Sequence, residues 1–274
     1  GRDGELLHSF QGDRAHDAFG ASVAAAGDVD GDGLDDVVVG AEQHAAEAEG
    51  GGEGSGYVRV FSGADGGLLL EVPGSRAGDR FGAAVAGVGD LDGDGRADLL
   101  VGARARAGGY ALALSGADGR VIHRFDDLRD PTRNDVRVHA IDDQDGDGVR
   151  ELLVSTPNAT HVYSGRSGAP LLTISAAEGA LDRAGDLDGD GKDELVFRRY
   201  RELGDRPSEH AATTATFYSG ADGRLLGEVP YAPPGAFRPL NPIADLDGDG
   251  RGDLVVLIKG RVWVLSGAKL LGSS

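Results

Sequence analysis

The sequence predicts an all-β fold made of repeated four-stranded sheets, and three observations carry that prediction. An acidic, glycine-spaced segment recurs five times in the 274 residues, as GDVDGDGLDD, GDLDGDGRAD, DDQDGDGVRE, GDLDGDGKDE and ADLDGDGRGD. A Ser-Gly step follows each copy, at Ser62, Ser115, Ser164, Ser219 and Ser266, spaced 53, 49, 55 and 47 residues apart. Short apolar runs flank both markers, with few helix-like stretches between them.

Within the first unit, strands are expected over residues 21–26, 36–40, 56–61 and 67–72, with the acidic loop joining the first pair and the Ser-Gly turn joining the last. The second strand of each unit is apolar at consecutive positions: Val37-Val38-Val39, Leu99-Leu100-Val101, Leu152-Leu153-Val154, Leu195-Val196-Phe197 and Leu254-Val255-Val256. Because side chains alternate between faces, such a run needs cover on both sides. A four-stranded meander repeated in this way is the blade of a β-propeller, where each sheet buries its faces against its neighbours. Residues 1–274 are thus expected to form a single domain of five blades. Asp3-Gly4-Glu5-Leu6-Leu7 matches Asp65-Gly66-Gly67-Leu68-Leu69 and Asp222-Gly223-Arg224-Leu225-Leu226, while the chain stops soon after Ser266-Gly267-Ala268. Residues 6–10 are therefore expected to supply the outer strand of the blade built from 239–266 and so close the ring.

Composition narrows the partners. Asp and Glu number 46 against 27 Lys and Arg, a formal charge of -19, so a phosphate backbone is repelled and nucleic acid is not expected as a partner. The longest aliphatic run, residues 254–258, is too short to span a bilayer, and no membrane insertion is expected. The absence of cysteine excludes disulfides, thiolate metal sites and thiol catalysis. Opening on Gly-Arg-Asp with no methionine anywhere, the chain reads as a piece processed or excised from a longer protein. The excess of arginine over lysine, 24 to 3, points to a bacterial source.

The acidic segments carry the chemistry. All five follow D-x-D-G-D-G-x-x-[DE], at residues 28–36, 90–98, 143–151, 186–194 and 245–253. Position one is Asp28, Asp90, Asp143, Asp186 or Asp245, and position three is Asp30, Asp92, Asp145, Asp188 or Asp247. Position five is Asp32, Asp94, Asp147, Asp190 or Asp249, and position nine is Asp36, Asp98, Glu151, Glu194 or Asp253. Oxygen donors at alternating positions of a tight loop suit a hard cation with six or seven ligands, calcium before magnesium. Position seven is Leu34, Arg96, Val149, Lys192 or Arg251, types without shared side-chain chemistry, as expected if that residue offers only its carbonyl. An EF-hand would need a glutamate at position twelve; here that position is Val39, Val101, Val154, Phe197 or Val256, inside the apolar strand. The expectation is about five Ca²⁺, one per blade.

Phe19-Gly20-Ala21-Ser22-Val23-Ala24 ahead of the first loop and Val39-Gly40-Ala41 after it resemble the FG-GAP repeats of the integrin alpha-chain propeller, as do Phe81-Gly82-Ala83-Ala84-Val85-Ala86 and Val101-Gly102-Ala103. Units three to five lack the Phe-Gly step and resemble the related bacterial VCBS-type repeats. The resemblance implies a calcium-binding propeller of an extracellular or cell-surface protein, with the acidic-loop residues as metal ligands.

Other chemistry is sparse. The chain holds no G-x-S-x-G, phosphate loop or H-E-x-x-H, and its seven histidines occupy unrelated positions, so no catalytic residue is assigned and the chain is expected not to be an enzyme. Arg251-Gly252-Asp253 spells an integrin-recognition tripeptide, but Asp253 is position nine of a loop and is expected to be engaged there. The connections over 42–55 and 198–211 are long, the second rich in arginine, and both open away from the calcium loops. A secreted or cell-surface recognition or adhesion module, monomeric, with a protein or glycan ligand on that opposite face, is the leading expectation. A glycan lyase or hydrolase built on the same ring, or an architectural spacer, are the alternatives.

Overall fold

The computed structural model describes residues 4–13, 17–43, 54–105, 108–128, 136–175, 180–202, 210–230, 238–243, 245–258 and 261–270. The chain divides into two compact units, residues 1–140, 147–156 and 161–171 in the first, and 141–146, 157–160 and 172–274 in the second. Strands β1 (Phe19–Gly27), β2 (Asp36–Ala41), β3 (Tyr57–Phe61) and β4 (Leu68–Pro73) form the first sheet in chain order. Strands β5 (Phe81–Gly89), β6 (Asp98–Ala103), β7 (Gly109–Leu114) and β8 (Val121–Leu128) form the second. The third holds β9 (Arg137–Ile141), β10 (Glu151–Ser155), β11 (Thr160–Tyr163) and β12 (Pro170–Ile174). The fourth holds β13 (Ala180–Gly185), β14 (Glu194–Glu202), β15 (His210–Tyr218) and β16 (Leu225–Pro230). The last sheet has three strands, β17 (Arg238–Ile243), β18 (Asp253–Ile258) and β19 (Arg261–Ser266), followed by a single helical turn, α1 (Gly267–Leu270).

The fold is all-β, and the pairing is antiparallel in the first, second, fourth and last sheets, as short connections between consecutive strands favour. The inner strands are covered on both faces. Leu99, Leu100 and Val101 on β6 are each 0% exposed. Leu99 and Val101 belong to a core shared with Val38, Val58 and Phe81, whereas Leu100 belongs to a second core with Phe125, Val138 and Leu152. One strand thus feeds two cores by alternation, and each buried side chain contributes roughly 1.5–3 kcal/mol of apolar transfer. A bulge sits where the first strand enters the acidic loop, with Gly27 opposite Asp36, Gly89 opposite Asp98 and Gly185 opposite Glu194. It fixes the start of the loop against position nine of the same loop.

The N-terminal segment departs from expectation. Residues 6–10 form no strand, and among the described residues the last sheet has no fourth strand. The segment is held instead by side chains on the first sheet. The Phe10 ring stacks on Phe61 at 4.2 Å, and His8 Nε2 lies 3.2 Å from the Gly63 carbonyl oxygen. The β8 strand makes the same pair of contacts: Phe125 stacks on Tyr163 at 4.2 Å and His123 Nε2 lies 2.9 Å from the Gly165 carbonyl oxygen. Gly4, at φ 73°, also matches the turn glycines Gly66 at 76° and Gly119 at 74°. The segment therefore keeps the turn and the side-chain seat of an outer strand without the backbone ladder.

Candidate metal centres

The five acidic loops fold by one local scheme, which the sequence dictates. In the first loop the position-one carboxylate, Asp28, accepts from the backbone N–H of Gly31 at 2.7 Å, Asp32 at 3.0 Å and Gly33 at 2.9 Å. The second loop repeats this through Asp90, with Gly93 at 2.7 Å and Gly95 at 2.9 Å, and the fifth through Asp245, with Gly248 at 2.6 Å and Gly250 at 2.8 Å. Position five then accepts from the N–H of position seven, at 2.8 Å in Asp32 with Leu34 and at 2.9 Å in Asp94 with Arg96. The loop can coil this tightly because positions four and six are left-handed, Gly31 at φ 82° and Gly33 at φ 88°. A Cβ at either would meet nothing within 4 Å, so backbone conformation, not space, demands glycine.

Where each loop lies within one unit, three carboxylates converge with ligand atoms within 4.8 Å of one another. In the first two loops they are Asp28, Asp30 and Asp32, and Asp90, Asp92 and Asp94; in the fourth and fifth they are Asp186, Asp188 and Glu194, and Asp245, Asp247 and Asp253. The third loop is divided between the units, with Asp143 and Asp145 in one and Asp147, Val149 and Glu151 in the other. In it Asp143 accepts from Gly146 N–H at 2.6 Å and Asp147 from Val149 N–H at 2.8 Å, as in the other copies. Positions seven, including Lys192 and Arg251, take part through the backbone N–H that position five binds.

Position nine has a second task that sequence reasoning missed. Asp36 Oδ2 accepts from Val29 N–H at 2.8 Å while its Oδ1 accepts from Gly63 N–H at 2.9 Å, tying the acidic loop to the Ser-Gly turn. Asp98 does the same with Leu91 and Gly116, at 2.7 and 3.0 Å. The Ser-Gly glycine also leaves room for a neighbour: a Cβ on Gly116 would sit 3.1 Å from Val29 Cγ1, and one on Gly165 would sit 3.0 Å from Leu91 Cδ2. The recurrent Ser-Gly step was the available signal, yet its partner is revealed only by tertiary placement. His8 and His123 are likewise structural, each reaching a carbonyl of the adjacent turn. Asp253 of the Arg-Gly-Asp tripeptide is 1% exposed and accepts from Leu246 N–H, so it offers no recognition handle.

The electrostatics fit a cation. Burial pushes the Asp98 carboxyl up to about 6 and the Glu194 carboxyl up to about 8, with the neighbouring loop aspartates adding to both. Backbone N–H groups, Gly250 foremost, hold the exposed Asp245 below the usual carboxylate range. Glu194 Oε1 is buried with no hydrogen-bond partner, an arrangement that an oxygen-seeking ion would satisfy. All donors are oxygens, which suits calcium or magnesium and no soft metal. Three loops already borrow positive charge from a turn arginine: Arg120 lies 2.6 Å from Asp92, Arg224 lies 3.0 Å from Asp188 and Arg166 lies 3.4 Å from Asp147.

Antiparallel four-stranded meanders, each carrying an oxygen-lined acidic loop between its first two strands, define a β-propeller class of repeat protein. Residues 19–61 and 81–120 match the FG-GAP repeat family model. The chain is 33% identical over 194 residues to integrin alpha-PS5 of Drosophila melanogaster, which covers 65% of this chain and 19% of that one. It is 30% identical over 196 residues to integrin alpha-5 of Xenopus laevis, covering 65% and 18%. It thus resembles the integrin alpha chains while spanning about a fifth of their length, 19% in the first case. The crystal structure of BBS1N in complex with ARL6DN superposes with a TM-score of 0.52 at 13% identity, covering 89% of this chain and 61% of that one, a likeness of fold alone.

Proposed function

We propose that this chain is a calcium-stabilised, non-enzymatic recognition or adhesion module of a secreted or cell-surface protein. The observation that carries the calcium reading is the buried, partnerless Glu194 Oε1 within the Asp186, Asp188 and Glu194 group. Without an ion that carboxyl is driven towards its neutral form; with one, the loop's negative charge is offset and the donors are satisfied. Calcium would be held by positions one, three, five and nine and by the position-seven carbonyl, about five ions per chain, and would supply charge and rigidity, with no reaction. Extracellular concentrations suit open loops of this kind, which commonly bind at about 0.1–1 mM. No helix among the described residues is long and apolar enough to cross a membrane.

The five sheets are read as blades of one ring, with residues 6–10 as the closing strand. Two features support this. The segment keeps the seat of an outer strand, through His8 and Phe10. In addition, the position-two residues Val29, Leu91 and Leu187 are buried, whereas Leu246 is 63% exposed. At Gly63 the three atoms nearest an added Cβ belong to Asp35 and Asp36 of its own repeat, whereas at Gly116 and Gly165 they include Val29 and Leu91 of the preceding repeat. Ligand recognition, by protein or glycan, is assigned to the ends of the sheets opposite the calcium loops. The test is a calorimetric calcium titration of the chelator-treated chain, with thermal melts in calcium and in EGTA. Saturable binding that raises the melting temperature supports the reading, and no heat with unchanged melts refutes it.

A further inference from the structure

The first and second sheets share a device at the end opposite their acidic loops. Residues 12–20, GDRAHDAFG, correspond to residues 74–82, GSRAGDRFG. In each copy a buried aspartate accepts from a tyrosine hydroxyl: Asp17 from Tyr57 at 2.7 Å, Asp79 from Tyr110 at 3.0 Å. The residue after each aspartate is left-handed, Ala18 at φ 55° and Arg80 at φ 51°, so the two turns are the same turn. An arginine then lies over each tyrosine ring, Arg59 and Arg124, both with Cζ 4.7 Å from the centroid.

The copies differ in what meets the guanidinium. In the first, Asp13 grips Arg59 with two hydrogen bonds of 3.0 and 2.6 Å, Glu71 adds a third, and the Arg59 side chain is only 12% exposed. In the second, the position of Asp13 is taken by Ser75. Arg124 is 50% exposed and, among the described residues, pairs with Asp126 two positions along its own strand. A cleft of about 560 Å³ opens at that place, lined by Ser75, Arg76, Asp79, Tyr110, Arg124 and Asp126 among others. That volume is within the range of small-molecule sites.

We infer that this cleft binds a ligand carboxylate on Arg124, in the position that Asp13 fills on Arg59 in the first sheet, and that the ligand is the hexuronate unit of an acidic glycan. A planar guanidinium over an aromatic ring binds a carboxylate in two-pronged fashion, and Arg76 on the cleft wall adds a second positive charge. The exposed Asp126 carboxylate accepts from sugar hydroxyls, donors that an acidic side chain lacks. The inference deepens the recognition reading above and rests on it for biological sense, but the binding itself does not depend on the calcium assignment.

The experiment titrates the intact, calcium-containing chain with digalacturonate, with the matching neutral digalactose and with an aspartate-containing tripeptide, followed by calorimetry and by NMR of the sugar. Saturable binding of digalacturonate, about tenfold or more tighter than digalactose, is the expected result. Ser75→Asp places the chain's own carboxylate where Asp13 lies and abolishes that binding without lowering the melting temperature. Asp13→Ser opens the matching place in the first sheet and adds a second binding event. Equal binding of the charged and neutral sugars, binding of the tripeptide alone, no binding by any probe, or full binding by Ser75→Asp would each overturn the inference. Absence of calcium binding in the earlier titration would sink the metal reading and leave these outcomes standing.

Discussion

The two ends of the first and second sheets behave in opposite ways. At the acidic end the copies agree to about a tenth of an ångström, with Asp28 and Asp90 each 2.7 Å from the N–H three residues on and Asp36 and Asp98 bonded to Val29 and Leu91 at 2.8 and 2.7 Å. At the other end the same Asp-Tyr-Arg frame is kept, yet Arg59 is closed by Asp13 and Arg124 is left half exposed. A backbone scheme that both copies repeat suits a scaffold. A frame that is kept while one contact is released is suited to recognition.

The first way to break this comparison is to remove the ion, which should harm every copy at once. If each of the five acidic groups is held at ten times its dissociation constant, linkage gives roughly 1.4 kcal/mol per site and about 7 kcal/mol in all. Melts in calcium and in excess EGTA should differ by tens of degrees, and identical melts would show that the acidic end is not a metal scaffold. Next in size is deletion of residues 1–10, which removes the Phe10 stack on Phe61 and the His8 bond to Gly63. The expected loss is about 3 kcal/mol, with aggregation on heating. A truncated chain that melts like the intact one would mean that the segment is a tail.

Single loops sharpen the comparison further. Asp92→Ala should abolish one calcium event and cost about 1.4 kcal/mol in calcium, whereas Arg96→Ala should leave affinity within about twofold because that residue is engaged through its backbone. Equal losses in calorimetry would refute the loop assignment. The smallest effect is on pH. Asp98 and Glu194 titrate above their unfolded values, so at these two groups the calcium-free fold binds more protons than the unfolded chain between about pH 4 and pH 8. Its stability should therefore fall as pH rises through that window. In calcium the trend should reverse, since the ion needs both groups charged. A melt series from pH 5 to about pH 8 in EGTA that rises throughout would contradict the burial of these carboxylates.

Much of this was readable from residues alone, for physical reasons. The run Leu99-Leu100-Val101 demands cover on both faces, and each of its side chains is fully buried. The strand expected over residues 36–40 runs Asp36–Ala41, and that over 67–72 runs Leu68–Pro73, because turn glycines and carboxylates mark their ends. What escaped was set by tertiary placement. Nothing local to Asp36 says that its second oxygen binds Gly63, 27 residues away. The exchange of Asp13 for Ser75 has no visible consequence until Arg59 and Arg124 are seen over their tyrosines. Of the connections expected over 42–55 and 198–211, residues 44–53 and 203–209 lie outside the described residues, while 198–202 and 210–211 belong to β14 and β15 because the two strands pair that far.

The central claim is that the acidic repeat is a repeated calcium site, and counting ions tests it most directly. Equilibrium dialysis of the chelator-treated chain against calcium from about 0.01 to 10 mM should saturate near five ions per chain, one for each acidic group. Saturation at none or one, with the chain folded throughout, would contradict it.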